Sequence, residues 1–212
     1  IGIPMALQFS ITAIGATILQ GAVNAFGSTV VAAHTAASKV EQLVMQPSIT
    51  FGVTMATYCA QNLGAGNIDR IKEGVKKCTI INIIIGLVGG LILFLFGDQF
   101  VKLFVSNSDP DVVAYSMKYL TTVAFFFIPL SLIFIYRNAL QGMGYTLVPM
   151  LAGVCELLAR TVVAFTLPLF FGYFGVCLAG PMAWIAACIP LILDYIKKIN
   201  TLSESEVLSI HI

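Results

Sequence analysis

Glu156 and Arg160 are the residues in this sequence that are best placed for chemistry in an apolar environment. They are four positions apart, so a helix places them on one face with the acid first, the order that favours an ion pair. They lie about midway along an apolar run that is long enough to cross a bilayer. An ionisable pair at that depth marks either a functional site or a self-neutralising clasp between helices, and the sequence leaves both readings open.

A second set of polar residues lies within the apolar stretch formed by residues 35–62. Its members are Thr35, Lys39, Gln42, Gln46, Thr50, Thr54, Thr57 and Gln61. Steps of three or four residues place the whole set, called here the polar stripe, along one helical face. Charge is expensive in a segment that spans lipid, so the stripe predicts that this face lines a pathway. Pro47 predicts a kink in the same helix.

Two charged residues near the start of this stretch need separate partners. Lys39 and Glu41 are two positions apart and therefore do not share a helical face. Lys39 is either a cation that lines a cleft or a side chain that reaches for the membrane interface. Glu41 either faces the same cleft or bonds one helix to another.

The remaining polar candidates are weaker. Gln8, Thr12 and Asn24 lie in the first apolar span, where such side chains either bind substrate in a cleft or hold helices together. Arg137 ends the fourth apolar span and is predicted to anchor that helix at the membrane interface.

Composition limits the classes of protein that the chain can belong to. With 58% hydrophobic and 10% charged residues, it lies outside the range of soluble globular domains. A formal charge of +1 offers no basic surface for nucleic acid. Catalytic signatures and closely spaced cysteines are absent, so the sequence predicts neither an enzyme nor a metal site or cofactor. We expect a protein that sits in the lipid bilayer.

Six apolar stretches are long enough to span a membrane. They cover residues 3–26, 35–62, 78–96, 119–140, 147–170 and 176–195. The sequence therefore predicts an all-α polytopic membrane protein, a bundle of six transmembrane helices within residues 1–200, with a polar cytoplasmic tail over residues 201–212. Pro129 predicts a kink in the fourth span. The turn after Gln141 is short, so the fifth span should return antiparallel beside the fourth.

The basic residues predict an orientation. If the chain starts inside, the connections after the second, fourth and sixth spans are cytoplasmic and, counted together with Arg137 at the end of the fourth span, hold seven of the eleven Lys and Arg residues. Basic residues are enriched on the cytoplasmic side of membrane proteins. We therefore expect both termini of this segment to lie in the cytoplasm.

Several short segments, taken in order, resemble a known family. They are Pro4-Met5, Gln8, Asn24-x-Phe26-Gly27, Val31-Ala32-Ala33-His34, Lys39, Gln61-Asn62-Leu63-Gly64-Ala65-Gly66, Arg137-Asn138-Ala139-Leu140-Gln141-Gly142-Met143-Gly144, Glu156-x-x-x-Arg160 and Pro181-Met182-Ala183-Trp184. Together they resemble the C-terminal six-helix lobe of the multidrug and toxic compound extrusion (MATE) transporters. The resemblance covers nearly the whole chain apart from the tail.

The resemblance implies a plasma-membrane antiporter of two six-helix lobes, of which this chain is one. The missing N-terminal lobe, expected in the same polypeptide, would be its partner. Influx of protons or sodium would drive alternating access and export small cationic, amphipathic drugs through a cleft between the lobes. Some branches of the family place cation-binding acids on the helices that correspond to the first and fourth spans, where this sequence has none. Coupling would then depend on an acid in the other lobe, or on Glu41 and Glu156.

Two alternatives remain beside the exporter. A lipid-linked oligosaccharide flippase of the same superfamily would share the helix plan, but would be expected to have a more strongly basic cavity than Lys39 and Arg160 provide. A non-catalytic scaffold subunit is the alternative from another class.

Overall fold

The computed structural model describes residues 2–105 and 109–210, and within these ranges the chain folds into helices without strands. The nine helices of the described ranges are α1 (Gly2–Asn24), α2 (Ser28–Gly64), α3 (Ile68–Lys102), α4 (Pro110–Ala124), α5 (Phe127–Gly142), α6 (Leu147–Thr166), α7 (Pro168–Phe171), α8 (Tyr173–Cys177) and α9 (Ala179–Ile210).

The helices combine into membrane-spanning segments. In the described ranges, α1, α3, the pair α6–α7 and the pair α8–α9 are each long and apolar enough to cross a bilayer. The pair α4–α5 forms a fifth span that is bent by 57°. The 37-residue α2 is long enough but falls outside this group, as expected from the polar stripe on it. The predicted all-α, multi-pass membrane fold is confirmed.

Two helices extend well beyond the apolar stretches from which they were predicted. α2 begins at Ser28 rather than at Thr35, and α3 covers Ile68–Lys102 rather than residues 78–96. The positive φ of Gly27, 90°, turns the chain directly from α1 into α2. Hydropathy marks the part of a helix that suits lipid, whereas helix ends depend on backbone turns, so these two helices are longer than the apolar stretches within them.

The fourth predicted span is broken one turn before its proline. α4 ends at Ala124 and α5 begins at Phe127, while Pro129 lies inside the first turn of α5. Proline has no N–H, and its ring collides with the carbonyl four residues earlier, which here belongs to Phe125. The bend therefore lies at residues 125–126 rather than at Pro129 itself. By contrast, α2 continues through Pro47 as one helix, so a kink there stays a prediction.

The predicted polar tail is helical over most of its length, and its cytoplasmic position stays a prediction. α9 runs to Ile210, so residues 201–210 continue the last helix instead of forming a separate segment. Residues 211–212 lie outside the described part of the chain.

The packing divides the bundle into two sides that leave an opening between them. α6 packs against α1 and α9, whereas α2 packs against α3, α4 and α5. Contact between α5 and α9 joins the two sides, while α1 barely meets α2 and α5 barely meets α6. The prediction that the fifth span packs beside the fourth is therefore wrong: α6 diverges from α5, and this divergence creates a cavity.

Glycines allow the closest helix contacts. A Cβ at Gly52 of α2 would lie 2.8 Å from the carbonyl oxygen of Phe134 on α5. A Cβ at Gly86 of α3 would lie 2.8 Å from the Oγ of Ser131. Small residues of this kind let helix backbones approach one another where no hydrophobic effect drives association.

We predict that Gly52→Ala lowers the thermal stability of the detergent-solubilised protein, because the added methyl meets the α5 backbone. Gly21→Ala is the matched control, since a Cβ at Gly21 meets nothing within 4 Å. There the better helix propensity of alanine, worth up to about 1 kcal/mol, should leave the melting temperature unchanged or raised. Equal melting temperatures for the two variants would contradict the proposed contact.

Candidate functional site

An open cavity of about 610 Å³ lies where the two sides of the bundle diverge. Helices α1, α2, α5, α6 and α9 line it, together with Tyr119 of α4. Its polar and charged lining residues are Thr12, Gln20, His34, Thr35, Ser38, Lys39, Glu41, Gln42, Tyr119, Arg137, Glu156 and Arg160. Leu130, Ile133, Phe134 and Trp184 supply apolar surface. The cavity can thus offer both charge and hydrophobic contact to an amphipathic molecule.

Glu156 binds two arginines on this wall. Its Oε1 accepts a hydrogen bond from Arg160 Nη2 at 2.7 Å, and its Oε2 accepts one from Arg137 Nη2 at 3.0 Å. The three side chains are only 10 to 14% exposed. The predicted Glu156–Arg160 pair is confirmed as an ion pair, but Arg137 is not the interface anchor that its position suggested.

The three charges come from two helices that otherwise hardly touch. Arg137 lies on α5, and Glu156 and Arg160 lie one turn apart on α6. On α1, Gly15 leaves room for the stem of Arg160, whose Cδ lies 3.6 Å from the position of a Cβ at Gly15. The ion pairs therefore bridge α5 and α6 across the edge of the cavity.

Gln8 connects α1 to α5 rather than lining the cavity. It is buried, and its Oε1 accepts a hydrogen bond from Nε2 of Gln141 at 2.7 Å. Gln141 lies one helical turn from Arg137, so the amide pair and the ion pairs occupy the same side of α5. For Gln8, the structure favours the role that holds helices together.

The other two candidates on α1 differ in position. Thr12 lines the cavity, and its hydroxyl donates to the carbonyl oxygen of Gln8 at 3.0 Å. Asn24 is exposed outside the lining and accepts a hydrogen bond from Gln20 at 2.9 Å.

The charged residues of α2 both reach the cavity, in different environments. Glu41 is partly buried, and its Oε2 accepts a 2.6 Å hydrogen bond from the hydroxyl of Tyr119 on α4. It therefore lines the cavity and also bonds one helix to another. Lys39 is exposed and lines the same cavity.

The polar stripe is exposed along its whole length. Thr35, Lys39 and Gln42 line the large cavity, whereas Gln46 faces a neighbouring pocket of about 270 Å³ that it shares with Phe104. The stripe thus forms one continuous polar surface that begins in the cavity and is not covered by the described residues.

The sequence did not indicate that Arg137 and Tyr119 line the cavity, or that Gln141 pairs with Gln8 beside it. Arg137 and Gln141 are four positions apart, so a helical projection of α5 would have shown them on one face. Tyr119 gave no comparable signal, because its partner Glu41 is 78 positions away.

Comparison with known proteins decides the family. The family model described as MatE matches residues 4–166. The chain belongs to the MatE family. A probable multidrug resistance protein NorM from Thermotoga maritima is 26% identical over 186 residues, 87% of this chain. A probable multidrug resistance protein YpnP from Bacillus subtilis is 26% identical over 144 residues, 68% of this chain.

Solved structures support the same fold. The chain superposes on a crystal structure of MATE in the bent conformation with a TM-score of 0.88 at 18% identity. It superposes on the Vibrio cholerae MATE transporter VcmN in the bent form with a TM-score of 0.85 at 18% identity. These matches cover 98% and 94% of this chain, but only 46% and 45% of the solved chains.

This MatE chain spans about half the length of the solved transporters. Its matches cover 39% of the Thermotoga protein and 32% of the Bacillus YpnP protein. The family consists of transporters rather than enzymes, which agrees with the prediction that this chain is not an enzyme. The lower sequence identity of the structural matches restricts what they show to the fold.

We predict that Gln8→Leu destabilises this MatE chain more than the double change Gln8→Leu with Gln141→Leu. The single change leaves the partly buried amide of Gln141 without its partner, a cost of up to about 1 kcal/mol, whereas the double change removes both polar groups. Melting temperatures of the purified variants would measure the difference. A double variant that loses as much stability as the sum of the two single variants would show that the amides do not interact.

Proposed function

We propose that this chain is one lobe of a secondary active multidrug exporter that moves small amphipathic cations out of the cell in exchange for protons or sodium. The observation that carries the proposal is the open cavity with its charged wall, in a chain of the MatE family. Family relatives named as probable multidrug resistance proteins support the same reading.

A second lobe would supply the opposite wall of the cleft. The polar stripe exposes polar side chains along one face of α2, in a bundle whose other spans are apolar. A polar surface of this kind is costly where it meets lipid. The solved relatives are about twice as long as this chain, which leaves room for a partner lobe. Both termini of this segment would lie in the cytoplasm of a cell whose plasma membrane holds the transporter.

Two carboxylates are available in this lobe for coupling. Glu41 and Glu156 both line the cavity. The described residues of α1 include no Asp or Glu, and neither do the residues of α5 that line the cavity. Glu156 is already bound by two arginines, whereas Glu41 is bonded to a neutral tyrosine. We favour an acid in the other lobe as the group that couples ion influx to export. Within this lobe, Glu41 is freer than Glu156 to bind and release a cation.

We predict that the complete protein containing this chain lowers cellular accumulation of a cationic dye. Lys39→Ala and Glu156→Gln should reduce efflux several-fold more than membrane abundance, because both side chains line the cavity. Glu73→Gln is a control, since Glu73 forms an exposed ion pair with Lys77 outside the cavity. If efflux and abundance fall together in the cavity variants, these residues are structural.

The coupling ion can be identified with the complete protein reconstituted in proteoliposomes. Dye efflux from proteoliposomes should depend on an imposed proton gradient or on an imposed sodium gradient. Efflux that proceeds equally well without either gradient would contradict secondary active transport.

A flippase for lipid-linked oligosaccharides is the second candidate, and one observation favours it. Arg137 adds a third cation to a cavity for which the sequence indicated only Lys39 and Arg160. Two carboxylates in the same lining argue for the exporter. Loss of lipid-linked oligosaccharide translocation in a deletion strain, with dye accumulation unchanged, would favour the flippase.

A further inference from the structure

We propose that a pocket of about 290 Å³ between α3, α5 and α9 binds the phosphate headgroup of an anionic phospholipid, in the leaflet that meets the first turns of α3. The side chains that matter for this headgroup pocket are Lys72, Lys76 and Ile80 of α3, Tyr136 of α5, and Tyr195 of α9. Among the described residues, the headgroup pocket and the large cavity share no lining residue. The site therefore lies apart from the proposed transport function and goes beyond it.

The charge of the headgroup pocket suits an anion. Lys72 and Lys76 lie one helical turn apart, and the described residues that line the pocket include no Asp or Glu. The acids of the same segment lie elsewhere: Asp69 is 95% exposed beside Lys72, and Glu73 pairs with Lys77 at 2.6 Å. Exposed ion pairs of this kind are weak. Two cations in one lining therefore complement the single negative charge of a phosphodiester.

Two tyrosines add hydrogen-bond donors. The rings of Tyr136 and Tyr195 meet edge to face, with centroids 5.1 Å apart, and both residues line the headgroup pocket. A phenolic hydroxyl can donate to a phosphate oxygen, while the ring offers apolar surface to the glycerol and the start of an acyl chain. Tyrosines with this double character are enriched at membrane interfaces.

The headgroup pocket lies where α3 passes from water into lipid. Six of the nine residues in 69–77 are charged, whereas residues 78–97 include no charged residue. Lys72 and Lys76 come just before this boundary and Ile80 just after it. Basic pockets between transmembrane helices at this depth bind lipid headgroups.

A row of exposed apolar side chains continues from the headgroup pocket along α3. Ile80, Ile84, Leu87 and Leu91 follow at steps of three or four residues, which places them on one helical face. They are 50 to 57% exposed. An acyl chain attached to a headgroup at Lys76 can lie along this row, whereas a soluble anion gains nothing from it. The occupant is therefore a lipid.

A bound headgroup would also join the two sides of the bundle. α3 belongs to one side and α9 to the other, and these two helices barely meet, although both pack against α5. The headgroup pocket fills the space between them. A lipid that contacts lysines of α3 and a tyrosine of α9 would stabilise this junction.

Competition between lipids tests the preference for an anionic headgroup. Radiolabelled dioleoylphosphatidylglycerol would be bound to the complete protein in micelles of an uncharged detergent, with unlabelled phosphatidylglycerol or phosphatidylcholine of the same acyl chains as competitor. The choline cation is repelled by the lysines, so we expect phosphatidylglycerol to bind about fivefold or more tightly, a ratio equivalent to the attraction of about one basic residue. Equal affinities would overturn the proposal. Displacement by inorganic phosphate at the same concentration would show a site for free phosphate and would overturn the assignment to a lipid.

Variants of α3 test the location. Lys76→Gln should weaken binding of phosphatidylglycerol about fivefold, and Lys72→Gln with Lys76→Gln should weaken it further, by about the same factor again. Arg70→Gln with Lys77→Gln is the matched control, because it removes two positive charges from the same turns of α3 but from side chains outside the pocket lining. The control should bind the lipid as the unaltered protein does. Equal losses in the two double variants would show attraction to the basic end of the bundle as a whole, and the pocket would be ruled out.

Melting temperatures supply a second readout. A ligand that binds only the folded state raises its stability, so phosphatidylglycerol should raise the melting temperature of the unaltered protein and of the control more than that of the double lysine variant. An equal rise in all three would overturn the site. If the double lysine variant does not fold, Lys76→Gln and the competition between the two lipids still decide.

Discussion

The carboxylate of Glu156, shared by Arg137 and Arg160, is the interaction on which the cavity depends. It joins α5 to α6 at a point where these helices otherwise diverge. Two arginines and one glutamate leave the cluster with a net charge of one positive unit. A buried charge needs a partner of opposite sign, and Glu156 supplies one to both arginines. The same cluster therefore holds the wall in place and gives it its chemical character.

The second constraint is the polar face of α2. The other spans of the described chain are apolar enough to meet lipid on their outer surfaces, whereas α2 carries a row of exposed polar side chains. Glu41 meets Tyr119 inside the bundle, while Lys39 and Gln42 remain in the open cavity. A helix with this distribution is suited to a position between a packed lobe and a water-filled cleft, which is the place that the proposed function assigns to it.

The sequence predicted what depends on local periodicity and missed what depends on distant contacts. The Glu156–Arg160 pair and the stripe on α2 followed from helical spacing, and the all-α membrane fold followed from composition. Arg137 was misassigned because its partner lies nineteen positions away on another helix, and Gln8 pairs with a residue 133 positions away. The divergence of α6 from α5 reflects packing against α1 and α9, which no local pattern records.

Chemical accessibility of α2 shows whether its polar face lines a water-filled cleft. In the complete protein with exposed Cys155 replaced by Ser, single cysteines would be placed at Gln42, in the cavity lining, and at Leu91, an exposed apolar position on α3. A membrane-impermeant methanethiosulfonate reagent should modify the cysteine at position 42, and a transported dye should protect it, while position 91 stays unreactive. If position 42 is as unreactive as position 91, the stripe faces lipid and does not line a water-filled cleft.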